Sequence, residues 1–165
     1  MKSIQSGDKF GSLQATLKVW AFGLLKVPMI LFISPQIIEL TDKRCVVRVP
    51  LSRRTKNHLN SMYFGALSAG ADVAGGLIAM QQIEASGQKI ALIFKEFQAN
   101  FLKRAEADVF FTCEDGPGIV ELVKKAVETG ERHEMPVNIV ATTPSKFGDE
   151  PVAKFVLLLS LKKKS

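Results

Sequence analysis

Between residues 10 and 33 apolar positions recur at helical spacing as far as Lys26, and Pro28 then stops or bends the helix. The period then shortens to two. Pro35 to Leu40 and Arg44 to Leu51 read as strands joined by a turn at Thr41-Asp42-Lys43, with Cys45, Val47 and Val49 alternating against Val46, Arg48 and Pro50. A polar stretch follows from Ser52 to Ser61. From Met62 to Met80 the pattern loses its polar face: Asp72 is the one charge, and glycines at 65, 70, 75 and 76 alternate with alanines at 66, 69, 71, 74 and 79. Each internal glycine costs a helix about 1 kcal/mol against alanine. A helix that keeps several of them gains where something must approach it closely. The lack of a polar face predicts a helix over 62–82 that is buried nearly all round, with a sheet wrapped around it.

Past Gly87 the pattern is extended again. Lys89 to Leu102 and Ala107 to Cys113 are expected to form a hairpin turning at Lys103-Arg104-Ala105-Glu106. Glu114-Asp115-Gly116-Pro117 marks a helix start with Asp115 available as cap, and the short amphipathic helix of about 117–130 stops at Gly130. Glu134 to Thr142 and Pro151 to Leu161 are two further strands. Consecutive strands on short connections imply an antiparallel sheet and an α+β class.

At 165 residues and 18.1 kDa the chain fits one domain spanning 1–165. Its 47% hydrophobic and 23% charged residues are globular values, which excludes a disordered chain. Cys45 and Cys113 are far apart, so neither a disulfide scaffold nor a zinc ribbon is expected. His58 and His133 are too few for a three-histidine zinc site. A reduced, cytoplasmic domain without metal or resident cofactor is the expectation. The most apolar run, Val19 to Ile33, has 15 residues, carries Lys26 and Pro28, and falls short of the roughly 20 needed to span a bilayer. A buried N-terminal helix is expected there, with a peripheral membrane contact as the alternative.

Net charge is +6, and Lys43, Arg44, Arg48, Arg53, Arg54 and Lys56 crowd the segment before the central helix. No helix-turn-helix, RRM or KH signature accompanies them, so nucleic acid is not the expected partner. A phosphorylated small molecule suits the cluster at least as well.

Asp72 demands an explanation. A carboxylate in an apolar helix is expensive to bury unless it is paired, so it either meets water or a strand backbone at the helix edge, or its pKa rises and it can act as a general base. The pattern N-x(5)-Y-F-G-A-L-S-A-G-A-D, Asn57 to Asp72, resembles the hotdog-fold acyl-CoA thioesterases of the phenylacetate-pathway type. Those enzymes carry Asn, five residues, His-Gly-Gly, and an acid nine positions after the His in a central helix. FLKRAEADVFF, Phe101 to Phe111, is similar to a strand-turn-strand of the same family. The resemblance covers about 35–161 and is closest to a divergent thioesterase-like branch with the extra helix at 117–130.

It implies a hotdog fold, a curved antiparallel sheet around the helix of 62–82, assembled as a homodimer or a tetramer. It also implies roles: Asp72 as general base or nucleophile, Asn57 orienting water or carbonyl, and the Gly65 N–H holding the thioester oxygen. Tyr63, Phe64 and His58 would border the substrate, and Arg53, Arg54 and Lys56 would meet the phosphates of coenzyme A, which enters only as part of the substrate. Tyr63 and Phe64 stand where the family has His-Gly. That departure leaves a non-catalytic acyl-CoA or fatty-acyl binder as the alternative to hydrolysis.

Overall fold

The computed structural model describes residues 9–164. The N-terminal segment is a helix α1 (Lys9–Leu25) followed by one turn, α2 (Pro28–Phe32), with Pro28 at the break. Then come β1 (Gln36–Leu40), β2 (Cys45–Val49), the long helix α3 (Phe64–Ser86), β3 (Ile90–Phe101), β4 (Val109–Cys113), α4 (Gly116–Thr129), β5 (His133–Thr142), α5 (Pro144–Phe147) and β6 (Pro151–Lys163). All strands pair antiparallel in one six-stranded sheet of order β1-β2-β4-β5-β6-β3, curved around α3. This is the hotdog fold.

The glycines of α3 are where the sheet comes closest. A Cβ on Gly70 would lie 2.4 Å from the ring of Phe111, and one on Gly75 3.2 Å from Ile139 and 3.5 Å from Phe94. Phe111 and Ile139 are fully buried, so α3 works as a smooth rod on which sheet side chains rest. Helix α3 ends at Gly87, in the left-handed region at φ 64°, where a residue without Cβ is unstrained. The same device ends α4 at Gly130.

The expected hairpin between the third and fourth strands does not form. β3 pairs only with β6 and is an edge strand, while β4 lies between β2 and β5. The connection is held by contacts that spacing alone does not reveal. The N–H groups of Leu102 and Lys103 donate to Val152 O at 2.8 and 3.0 Å, and buried Ala105 accepts from the N–H of Met62 at 2.8 Å. The segment thus crosses the entry to α3 instead of reversing in plane. Asp115 also departs from expectation. Its carboxylate does not cap α4 but accepts from the backbone and side-chain nitrogens of Asn138, at 2.6 and 3.0 Å, tying the helix start to β5.

β1 is the other edge of the sheet, and α1 covers it. Thr16 Oγ1 accepts the N–H of Ile37 at 2.9 Å while donating to Ser12 O, and Trp20 Nε1 donates to Pro35 O at 2.7 Å. Two substitutions separate the smooth-rod account from helix propensity. Gly70→Ala should lower the denaturation midpoint, because overpacking against immobile Phe111 costs about 1–3 kcal/mol and outweighs the propensity gain. Gly76→Ala, whose new Cβ meets only Phe94 at 3.7 Å, should leave the midpoint unchanged or raise it by up to about 1 kcal/mol.

Candidate functional site

The curved sheet does not close around α3. Between α1, α3 and β3 it leaves a half-open groove of about 2050 Å³. Val19 and Phe22 of α1, Leu77 and Met80 of α3, and Leu92 and Phe94 of β3 give it apolar walls. Asp72 lies on that wall, half-buried. Among the described residues no side chain or backbone group hydrogen-bonds or ion-pairs with its carboxylate. Burial therefore pushes its pKa above the ordinary 3.8, with nothing to pull it back. Of the readings the sequence left open, the structure has the acid facing an apolar groove rather than satisfied by a strand. Such a group can accept a proton from water at the groove wall.

The other candidates gather at the N-terminal end of the helix, about two turns before Asp72. Tyr63 is extended and no side chain caps α3. The N–H of Leu67 is the first to find a helical acceptor, Tyr63 O at 3.0 Å, so those of Phe64, Gly65 and Ala66 have no acceptor among the described residues at the positive end of the helix. Tyr63 and Phe64 are 49% and 58% exposed and pack against each other with tilted rings, centroids 4.7 Å apart, and Phe64 meets Phe101 at the end of β3 edge-on at 6.4 Å. Asn57 is committed to the loop. Its Oδ1 accepts from the N–H groups of Leu59 and Ser61 at 2.9 and 3.2 Å and from the Ser61 hydroxyl at 3.3 Å.

His58 is exposed and sits in the same turn. Arg53, Arg54 and Lys56 are exposed as well; Arg54 lies 5.9 Å from the centre of the Phe32 ring, and Lys56 donates to Asn60 at 3.2 Å. Two further members of the basic cluster are paired locally, Arg44 with Glu39 and Arg48 with Asp108. The structure thus brings Tyr63, Phe64 and Gly65 together but does not bring them to Asp72. Seven helical residues at 1.5 Å each separate Gly65 from Asp72 by about 10 Å.

Sequence reasoning missed the role of α1 as a groove wall. The Phe94 ring, half-buried along Gly75 and Gly76, also lines the groove. The signal for the α1 wall was the apolar spacing of Ala15, Val19 and Phe22, which looks the same whether it faces a core or a cavity. Among the described residues no group of three His, Cys, Asp or Glu is placed to hold a metal ion.

The raised pKa of Asp72 has a stability consequence with a definite sign. The folded state holds the proton more tightly than the unfolded chain, so ionising the group destabilises the fold. The penalty is absent well below the ordinary value of 3.8, grows above it, and is complete above the raised value. Asp72→Asn should therefore raise the Tm at pH 7 and lose that advantage as the pH approaches 4, as melts of both proteins across that range would show.

Residues 16–153 match the family described as Domain of unknown function (DUF4442). A Pseudomonas aeruginosa protein of unknown function, described as a probable thioesterase, superposes with a TM-score of 0.73 at 23% identity, covering 90% of this chain and 96% of its own. A protein of unknown function from Chlorobaculum tepidum superposes with a TM-score of 0.76 at 13% identity over 93% and 97%. A thioesterase from Haemophilus influenzae gives 0.63 at 13% identity over 87% and 88%. No curated protein matches the sequence significantly. With most of its length inside the family match and its fold shared with these structures, the chain belongs to the DUF4442 family and has the hotdog fold.

Proposed function

We propose that the protein hydrolyses the thioester of an acyl group carried on coenzyme A or a related carrier. The observation that carries this reading is Asp72, a carboxylate of raised pKa on the wall of an apolar groove, without a hydrogen-bond or ion-pair partner among the described residues. The groove takes the acyl chain, Asp72 removes a proton from the attacking water, and free N–H groups at the start of an α3 helix receive the oxygen as it gains charge. Such donors are worth about 3–4 kcal/mol in comparable sites. The names of the Pseudomonas and Haemophilus structures agree with this chemistry.

One chain does not bring the two halves together. A carbonyl at the Gly65 N–H is about 10 Å along the helix from the same chain's Asp72, beyond the roughly 3 Å a base must reach. A second copy supplies the missing half. β3 is a 12-residue edge strand, bonded on one side to β6, with Ile93, Phe97 and Phe101 exposed. Such an edge is a template for strand addition. In an antiparallel pairing along the full strand, the Phe101 end of one copy meets the Ile90 end of the other. Phe64 meets Phe101 edge-on, and Ile90 and Leu92 line the groove. The N-terminus of one α3 therefore arrives at the groove that holds the other copy's Asp72.

Thiol release should be measured on acyl-CoAs from acetyl to palmitoyl beside Asp72→Asn. The wild type should turn over a definite chain-length class and the variant should lose at least ~100-fold, as for removal of a general base. The mass in solution should be at least twice 18.1 kDa. A monomer with full turnover would remove the second copy from the mechanism. Tight acyl-CoA binding without turnover would replace hydrolysis by ligand binding, the reading favoured by Tyr63 and Phe64 in place of His-Gly.

A further inference from the structure

Helix α1 has two apolar faces, and the groove uses only one. At 3.6 residues per turn, Ala15, Val19 and Phe22 project to one side, where they line the groove. Leu13, Leu17 and Leu24 project to the opposite side, and all three are exposed, Leu24 by 68%. Leu25, at 76%, continues this outward surface, as do Met29 and Phe32 of α2. None of these six lines the groove. A soluble helix normally sets its polar face toward water; one that is apolar on both sides requires a second cover.

The charges around this face indicate what the cover is. From residue 11 to residue 38 the chain holds Lys18 and Lys26 and no acid. Lys18 is paired with Glu84, but Lys26 has no acidic partner among the described residues. Arg54 is held beside the patch by its contact with the exposed Phe32 ring, with Arg53 next to it in the chain. A second copy docked on the same face by two-fold symmetry would bring cations against their own twins with no acid to match them. An anionic lipid surface meets both features. Its headgroups attract the cations, and its outer acyl region takes leucine and phenylalanine side chains a few ångströms deep.

We propose that the outward face of α1–α2, Leu13, Leu17, Leu24, Leu25, Met29 and Phe32 with Lys26, Arg53 and Arg54 beside it, is a docking surface for an anionic membrane. The helix lies in the interface plane and does not cross it; no helix among the described residues is long and apolar enough to span a bilayer. The opposite face of the same helix walls the groove, so docking places the groove beside the lipid surface. The inference does not depend on hydrolysis and survives if the groove only binds its ligand.

Co-sedimentation of the full chain with lipid vesicles tests it. Phosphatidylcholine vesicles are compared with vesicles in which roughly a third of the lipid is phosphatidylglycerol. The bound fraction, expressed as a partition coefficient, should be at least ~10-fold higher on the anionic vesicles and should fall with salt. Net charge alone, including Lys162, Lys163 and Lys164, could draw the protein to such vesicles, so the apolar arm decides. Leu17→Gln/Leu24→Gln keeps every charge and should lose most of the binding, while its thermal melt shows that it is folded. Lys26→Gln/Arg54→Gln should lose the preference for anionic over neutral lipid. The proposal is overturned if the wild type stays in the supernatant, or if the leucine variant binds as well as the wild type. It is equally overturned if the leucine variant halves the mass in solution with no vesicle binding by either protein, which would make the face a contact between copies.

Discussion

The contact between the Phe111 ring and the bare backbone at Gly70 governs how closely the sheet can approach α3. Phe111 belongs to β4, one of the two middle strands, so its distance from the helix axis sets the radius of the whole wrap. Small residues along α3 hold that radius down, and the six strands can then cover most of the helix but not all of it. The uncovered side is the groove.

Asp72 is the place where the fold gives up stability. A neighbouring arginine or a strand N–H could have satisfied it, and Arg48 does this for Asp108 elsewhere in the molecule. An acid in an apolar groove with no partner among the described residues is a local frustration, and such frustration concentrates at sites that act on ligands. The uncapped start of α3 is a second instance. Its N–H groups could have been met by a serine or aspartate at position 63, but the chain places Tyr63 there.

The elements with strong periodicity were readable from the chain. The buried helix, the amphipathic α4 with its glycine stop, and the β1–β2 and β5–β6 pairs all follow from apolar spacing and local turn chemistry. The connection from β3 to β4 was not readable, because Ala105 between Arg104 and Glu106 looks like any turn residue, and its anchoring bond reaches back to Met62. Likewise the spacing of Asn57 before the central helix was visible, while the use of its Oδ1 to close the loop to Ser61 was not. Asp72 stood out because one charge in an apolar run is improbable without a reason; which wall it faced depended on a gap between three elements distant in sequence.

The hydrogen bond from the Ile37 N–H to Thr16 gives the two sheet edges different fates. Exposed edges are where β-proteins lengthen into fibrils, since each added strand presents a fresh template to the next. Here α1 covers β1 at Ile37, while the outer side of β3 pairs with no strand among the described residues. Joining two copies along β3 uses up both open edges and leaves the covered ones outside. In the proposed pairing, growth by strand addition would stop at two copies, and the Thr16 hydroxyl would serve to keep the β1 edge covered.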